Sequence, residues 1–210
     1  MLTLAASEPI AVGHLRLVFQ HPDAPSLLIK IMRPEVVATR FARWYKQLPR
    51  AKHYANHVRE LKEYIAAHAR KPHANPPLAR MVGLAEADLG LGLVVERVVD
   101  DRGALAPTLD KLVRRDGLLP WMEQALAEFF AQVLEHELIV GDMHPGNLVY
   151  GSDSRGGPRL VLIDGFGEKN AIPTCSMSRR LNRRNSHRRY AVLLRQIARL
   201  VAARQLPSSG

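Results

Sequence analysis

The segment Gly141-Asp142-Met143-His144-Pro145-Gly146-Asn147-Leu148-Val149-Tyr150 constrains this chain more than any other. An aspartate stands five residues before an asparagine in a loop that Pro145 and Gly146 bend, and the loop runs straight into an apolar, strand-like stretch. Phosphoryl transfer needs a carboxylate beside the acceptor hydroxyl and an oxygen ligand for a metal ion, and this spacing can supply both. Taken alone, Asp142 could simply cap a turn. A second motif weighs against that: Asp164-Gly165-Phe166-Gly167 follows the apolar run Leu160–Ile163. A carboxylate at a glycine-flanked strand end can approach a phosphate-bound Mg²⁺ closely.

Upstream, Leu27-Leu28-Ile29-Lys30-Ile31-Met32 reads as a buried strand interrupted by one lysine. A lysine there is costly unless it is paired or its ammonium reaches solvent. Glu60, on the helical stretch that follows, is the preferred counter-ion, because it stands between Val58 and Leu61, two expected core residues. Glu63, one turn further on, is the rival. Leu93-Val94-Val95-Glu96-Arg97-Val98-Val99 reads as a strand leaving the first half of the chain.

Around these motifs the pattern predicts an α+β chain in two lobes. Pro9–Phe19 reads as two short strands around Gly13, and His21–Pro25 as a turn. Glu35–Tyr45 and Ala51–His68 read as helices, the second with Tyr54, Val58, Leu61 and Ile65 on its buried face. Leu78–Leu84 and Leu91–Val99 form a strand pair, and Asp100–Gly103 leaves the sheet. Thr108–Arg115 and Leu119–His136 read as helices, the longer carrying Met122, Leu126, Phe129, Phe130 and Val133. Leu148–Tyr150 and Leu160–Ile163 are strands joined by a Gly/Ser-rich turn at 151–157.

The net charge of +10 is unevenly placed. Residues 1–168 hold 20 basic and 20 acidic side chains, whereas 169–210 hold 10 basic and none acidic. A neutral body with a basic tail differs from the uniformly basic chain of a nucleic-acid-binding domain. Arg179-Arg180, Arg183-Arg184 and Arg188-Arg189 recur at about one helical turn. From Tyr190, residues Leu193, Leu194, Ile197, Leu200 and Val201 form an apolar stripe expected to dock a terminal helix. A solvated basic face is the plainest expectation for these arginines. Attraction to nucleic acid or an anionic surface through Arg179–Arg204 is an alternative, although Tyr190 is the only aromatic nearby for base stacking. Cys175 is the single cysteine, which excludes an intrachain disulfide and fits a reducing compartment. With no secretory pattern at the start and no run long enough to span a membrane, the expected location is cytoplasmic.

In chain order these features resemble the protein-kinase-like superfamily: a strand lysine, a helix glutamate, a linker strand, an Asp-x-x-x-x-Asn loop and a strand-end Asp-Gly-Phe-Gly. The His-Pro-Gly-Asn form of the loop is similar to the aminoglycoside- and choline-kinase branch. Ile29-Lys30-Ile31, Arg59-Glu60-Leu61-Lys62, Gly90–Val99 and Ile163–Glu168 most resemble the bacterial YrbL family of PhoP-regulatory-network proteins. The resemblance covers roughly residues 8–200. It implies one kinase-like domain over 1–210, with an N-lobe at about 8–99 and a truncated helical C-lobe at about 104–205 ending in the basic helix.

The resemblance also implies roles. Lys30 would hold the α- and β-phosphates of ATP, oriented by Glu60, with Gly13 over the phosphates. Glu96 and Val98 would offer backbone groups to adenine. Asp142 would be the catalytic carboxylate, and Asn147 and Asp164 would bind Mg²⁺. The implied activity is ATP/Mg²⁺-dependent phosphoryl transfer to an unidentified acceptor, or nucleotide binding within a regulatory network that includes a protein partner. A single glycine in the phosphate loop, Val140 in place of a histidine, the extra Gly165 and the short C-lobe motivate an alternative: a pseudokinase that binds nucleotide without turnover.

Overall fold

The computed structural model describes residues 1–40, 52–71, 75–168 and 173–205. The chain divides into two compact units, Met1–Val58 with Arg80–Arg97, and Arg59–Ala79 with Val98–Gly210. The architecture is α+β, as the sequence pattern predicts.

The first unit is an antiparallel sheet of β1 (Ala11–Val12), β2 (Arg16–His21), β3 (Ala24–Met32), β4 (Met81–Ala87) and β5 (Gly90–Glu96), in the order β1-β2-β3-β5-β4. Period-two alternation sends Ile29 and Ile31 into a core with Leu4, Phe19, Ala87 and Val94. Gly92 leaves room on β5 for the Ile29 and Ile31 side chains, which a Cβ there would meet. Strand β3 starts earlier than expected. Pro25 lies inside it, near its start, where a missing N–H is tolerated, and the turn narrows to Pro22-Asp23. Pro34 both ends this strand region and opens α1 (Pro34–Arg40). The predicted continuation of that helix to Tyr45 lies outside the described residues.

Helix α2 (Ala55–Arg70) corrects the expected burial face. Val58 and Ile65 are 56% and 57% exposed, whereas His57, Glu60, Glu63 and Ala67 are buried. The helix turns a largely polar stripe inward because its polar groups find specific partners there. His57 Nε2 lies 2.9 Å from the Lys30 carbonyl, and Glu63 accepts the Ile139 amide at 2.9 Å. A buried polar group that is hydrogen-bonded carries little penalty, and isolated apolar side chains are common at the surface.

The second unit holds α3 (Leu109–Asp116), α4 (Pro120–Glu135), the hairpin of β6 (Leu148–Asp153) and β7 (Gly156–Leu162), the short α5 (Thr174–Met177) and α6 (Arg179–Gln205). The Thr108 hydroxyl caps α3 by accepting the Lys111 amide, and Gly117, at φ 81°, ends it. On α4, Met122, Leu126, Phe129 and Val133 are buried at the expected spacing.

Helix α6 is one helix of 27 residues that carries both the arginine cluster and the apolar stripe from Tyr190 onward. Leu193 and Ile197 are buried, but Leu194 is 41% exposed and lies off the docking face. Tyr190 stacks on Phe130 of α4 with ring centroids 4.1 Å apart, so the one aromatic near the arginines is occupied in packing.

The β6–β7 hairpin is tighter than its glycine content suggests, turning at Ser154-Arg155 alone. The fully buried Asp153 carboxylate binds the guanidiniums of Arg155, within that turn, and of Arg159, beyond it on β7. Gly151 is required for a different reason: a Cβ there would run into the Val99 carbonyl and Ala106. Gly151→Ala is expected to cost about 1–3 kcal/mol in urea unfolding. Gly83→Ala on β4, where nothing lies within 4 Å, should leave stability unchanged or raise it by up to about 1 kcal/mol.

Candidate active site

The hairpin register places the two motifs. Leu148 pairs with Leu162, and one step further along the ladder the Ile163 amide donates to the Asn147 carbonyl at 2.9 Å. Asn147 and Asp164 therefore flank the same end of the hairpin. The loop is closed by a backbone crossing. The Gly165 carbonyl accepts both the Gly141 amide, at 2.9 Å, and the Asp142 amide, at 2.8 Å. Gly165 has φ 82°, and a Cβ on it would lie 2.6 Å from the Asp142 carbonyl oxygen and 3.1 Å from Asn147 Nδ2. Only glycine meets both demands without strain.

Within the loop, Asn147 Nδ2 donates to the Asp142 carbonyl at 3.2 Å, and His144 Nδ1 accepts the Gly146 amide at 3.0 Å. Asp142 is exposed, and Asn147 and Asp164 are half-buried. The Asp164 carboxylate accepts the neighbouring Gly165 amide. Because the Asn147 NH₂ is engaged, its Oδ1 is the atom left to ligate.

An amide oxygen and a carboxylate are donor types that Mg²⁺ takes when phosphate oxygens and waters complete its shell. Among the described residues no group of three or more His, Cys, Asp or Glu side chains could hold a metal by protein ligands alone.

Two interactions support this loop from behind. Val140, fully buried, bridges Phe166 in antiparallel fashion, and the Gly167 amide donates to the Ile139 carbonyl at 2.7 Å. The Ile139 amide is in turn held by Glu63. Glu63, the rival counter-ion for Lys30, is thus engaged in holding the segment that enters the aspartate loop. Its apolar surroundings push its carboxyl above the usual glutamate range, by burial first, with the Ile139 amide and the Arg70 charge opposing. Sequence reasoning missed this role, and no local signal marks it, because the partner is a distant backbone amide.

The remaining expected residues divide between the units. Lys30, Gly13 and Glu96 belong to the first, and Glu60, Val98, Asp142, Asn147 and Asp164 to the second. Lys30 is buried on β3, opposite Val18 and Leu93. Glu60 is fully buried on α2, although its neighbour Val58, on which the assignment leaned, is not a core residue. The Gly13 amide donates to the Arg16 carbonyl at 2.8 Å, closing the β1–β2 turn. The Glu96 amide donates to the Arg80 carbonyl and the Val98 carbonyl accepts from the Ala106 amide, while among the described residues the Val98 amide has no backbone partner. Cys175 is half-buried, with its thiol pushed up by burial and by the Glu168 charge, and is a poor nucleophile.

With this geometry in view, the chain matches solved protein kinase domains. A cysteine-to-alanine mutant of the Mycobacterium tuberculosis PknI kinase domain aligns over 92% of this chain and 72% of its own, at 18% identity and TM-score 0.50. Rad53 1–466 in complex with AMP-PNP aligns over 97% of this chain and 48% of its own, at 14% identity and TM-score 0.50. A double mutant of the PknI domain is covered over only 56% of its length, at 18% identity and TM-score 0.44. The two matches at TM-score 0.50 show a kinase-like fold, on a chain that spans about half to three-quarters of those kinase chains. It belongs to the family described as PhoP regulatory network protein YrbL, whose family model matches residues 2–198. No curated protein matches it. No helix among the described residues is long and apolar enough to cross a membrane.

The raised Glu63 carboxyl has a consequence for stability. The fold favours its neutral form, so its contribution is fully present below the ordinary glutamate range. That contribution is lost as pH rises through the higher folded value. Glu63→Gln keeps an acceptor for the Ile139 amide without the charge. Urea unfolding across pH 4 to 8 should show the variant matching wild type at the acidic end and exceeding it at neutral pH.

Proposed function

We propose that this protein binds ATP with Mg²⁺ and transfers the γ-phosphoryl group to a hydroxyl acceptor. The observation that supports this best is the single junction joining Asp142, Asn147 and Asp164–Gly165. Asn147 Oδ1 and Asp164 would hold Mg²⁺, which would supply charge neutralisation at the phosphates. Asp142, exposed on the loop, accepts the proton of the acceptor hydroxyl. Lys30 holds the α- and β-phosphates with Glu60 as its orienting partner, and Gly13 lies over the phosphates. Adenine meets backbone groups at Glu96 and Val98. The AMP-PNP complex of Rad53 is consistent with nucleotide at this kind of fold.

A second reading, nucleotide binding with little or no turnover in a regulatory role, draws on one specific observation. The only glycine of the β1–β2 turn has its amide bonded to Arg16, so it is not free to donate to a phosphate. Fewer donors over the γ-phosphate mean less transition-state stabilisation.

Thermal and chemical unfolding with ATP and Mg²⁺ test the site. A hundredfold excess over Kd should stabilise the wild type by about 2.7 kcal/mol, and Asp164→Asn should remove the Mg²⁺-dependent part. Asp142→Asn should bind nucleotide normally yet lose about 10²- to 10⁴-fold in single-turnover ATP consumption. Stabilisation without turnover in the wild type selects the second reading. If neither ATP nor Mg²⁺ shifts the unfolding transition, both readings fail.

A further inference from the structure

Between Asp142 and Asn147 the loop carries one further exposed side chain, His144. Gly141, Met143 and Pro145 are buried, whereas Asp142 and His144 between them are exposed. His144 has an extended backbone, at φ −129° and ψ 145°. In extended chain, side chains two residues apart emerge on one face. Asp142 and His144 therefore leave the loop on the same side, with about 7 Å between their Cα atoms.

The ring of His144 is held in one tautomer. The Gly146 amide donates to its Nδ1 at 3.0 Å, and a Cβ on Gly146 would lie 3.2 Å from that nitrogen. A backbone N–H can only donate, so Nδ1 is the acceptor and the ring proton sits on Nε2. The backbone beneath is fixed as well, because the Asn147 amide donates to the His144 carbonyl at 2.9 Å. Among the described residues Nε2 has no hydrogen-bond partner. The exposed face of the loop thus carries an oriented N–H donor beside a carboxylate, and each suits a different half of a phosphoryl transfer. An acceptor hydroxyl gives up a proton, which a carboxylate takes. The oxygens of a γ-phosphoryl group carry charge and call for donors.

We propose that His144 is a catalytic residue whose Nε2–H donates to an oxygen of the γ-phosphoryl group. This rests on the reading that puts Asp142 at the acceptor hydroxyl. In the transfer, the acceptor oxygen bonds to the γ-phosphorus as the bond to the β–γ bridging oxygen breaks. ADP leaves with that bond pair, and the hydroxyl proton passes to Asp142. His144 neither gives up nor takes a proton, and its N–H offsets charge on the phosphoryl oxygens.

Two substitutions separate this role from the capping of the turn. His144→Asn sets an oxygen near the place of Nδ1, so it keeps an acceptor for the Gly146 amide and has no donor at Nε2. His144→Gln reaches the place of Nε2 with its NH₂ and gives up the cap. Urea unfolding, calorimetric titration with ATP and with ADP in the presence of Mg²⁺, and single-turnover ATP consumption are measured on the full chain. His144→Asn should unfold and bind ADP like wild type. Its preference for ATP over ADP should fall about tenfold or more, and its ATP consumption about 10²- to 10³-fold. His144→Gln should be the less stable variant and the faster one. An unchanged ATP-over-ADP preference in His144→Asn, or a consumption rate in His144→Gln no higher than in His144→Asn, would overturn the proposal. If the wild type binds ATP without consuming it, the transferase reading fails, and the ATP-over-ADP preference alone decides the His144 contact. If the wild type binds no nucleotide, both fail together.

Discussion

The backbone crossing at Gly165 is the contact on which the candidate site depends. One carbonyl receives two consecutive amides from the aspartate loop, and the two chain segments approach so closely that no side chain fits between them. With that crossing in place, Asn147 can reach back to the Asp142 carbonyl, and Asp164 follows from the register of the hairpin. The extra glycine between Asp164 and Phe166 thereby has a structural reason. Its left-handed φ lets the chain turn its carbonyl toward the loop while Phe166 goes into the core.

Helix α2 shows how far such a site draws on ordinary packing groups. Its inward stripe is polar, and Glu63 holds the amide of Ile139 on the segment that enters the loop. Arg59 of the same helix donates to the Phe166 carbonyl at 3.4 Å and lies where a Cβ on Gly167 would go. The helix thus secures both sides of the crossing through backbone groups. That role explains why apolar residues such as Val58 and Ile65 can be left at the surface.

The order of strands and helices was legible because each element carries its own periodicity and its own stop signals. Thr108 and Gly117 around α3, and the spacing of Met122, Leu126, Phe129 and Val133 on α4, are local features. The Asp142–Asn147 spacing and Asp164-Gly165-Phe166-Gly167 were legible for the same reason. The burial face of α2 was misread because hydrophobicity alone ranks Val58 above Glu63. The hairpin turn was misread because glycines at 151 and 157 look like turn residues, whereas Gly151 is demanded by a neighbouring carbonyl.

By itself the sequence determined the fold class and the two motifs that make up the candidate site, since side-chain type and short spacings survive without coordinates. Tertiary structure alone decided which glutamate serves a backbone amide, why Gly165 has to be glycine, and that the one glycine of the β1–β2 turn has its amide engaged. The physical reason is the same in each case: these are pairings between polar groups far apart in the chain, and their burial and direction are set by packing rather than by local pattern.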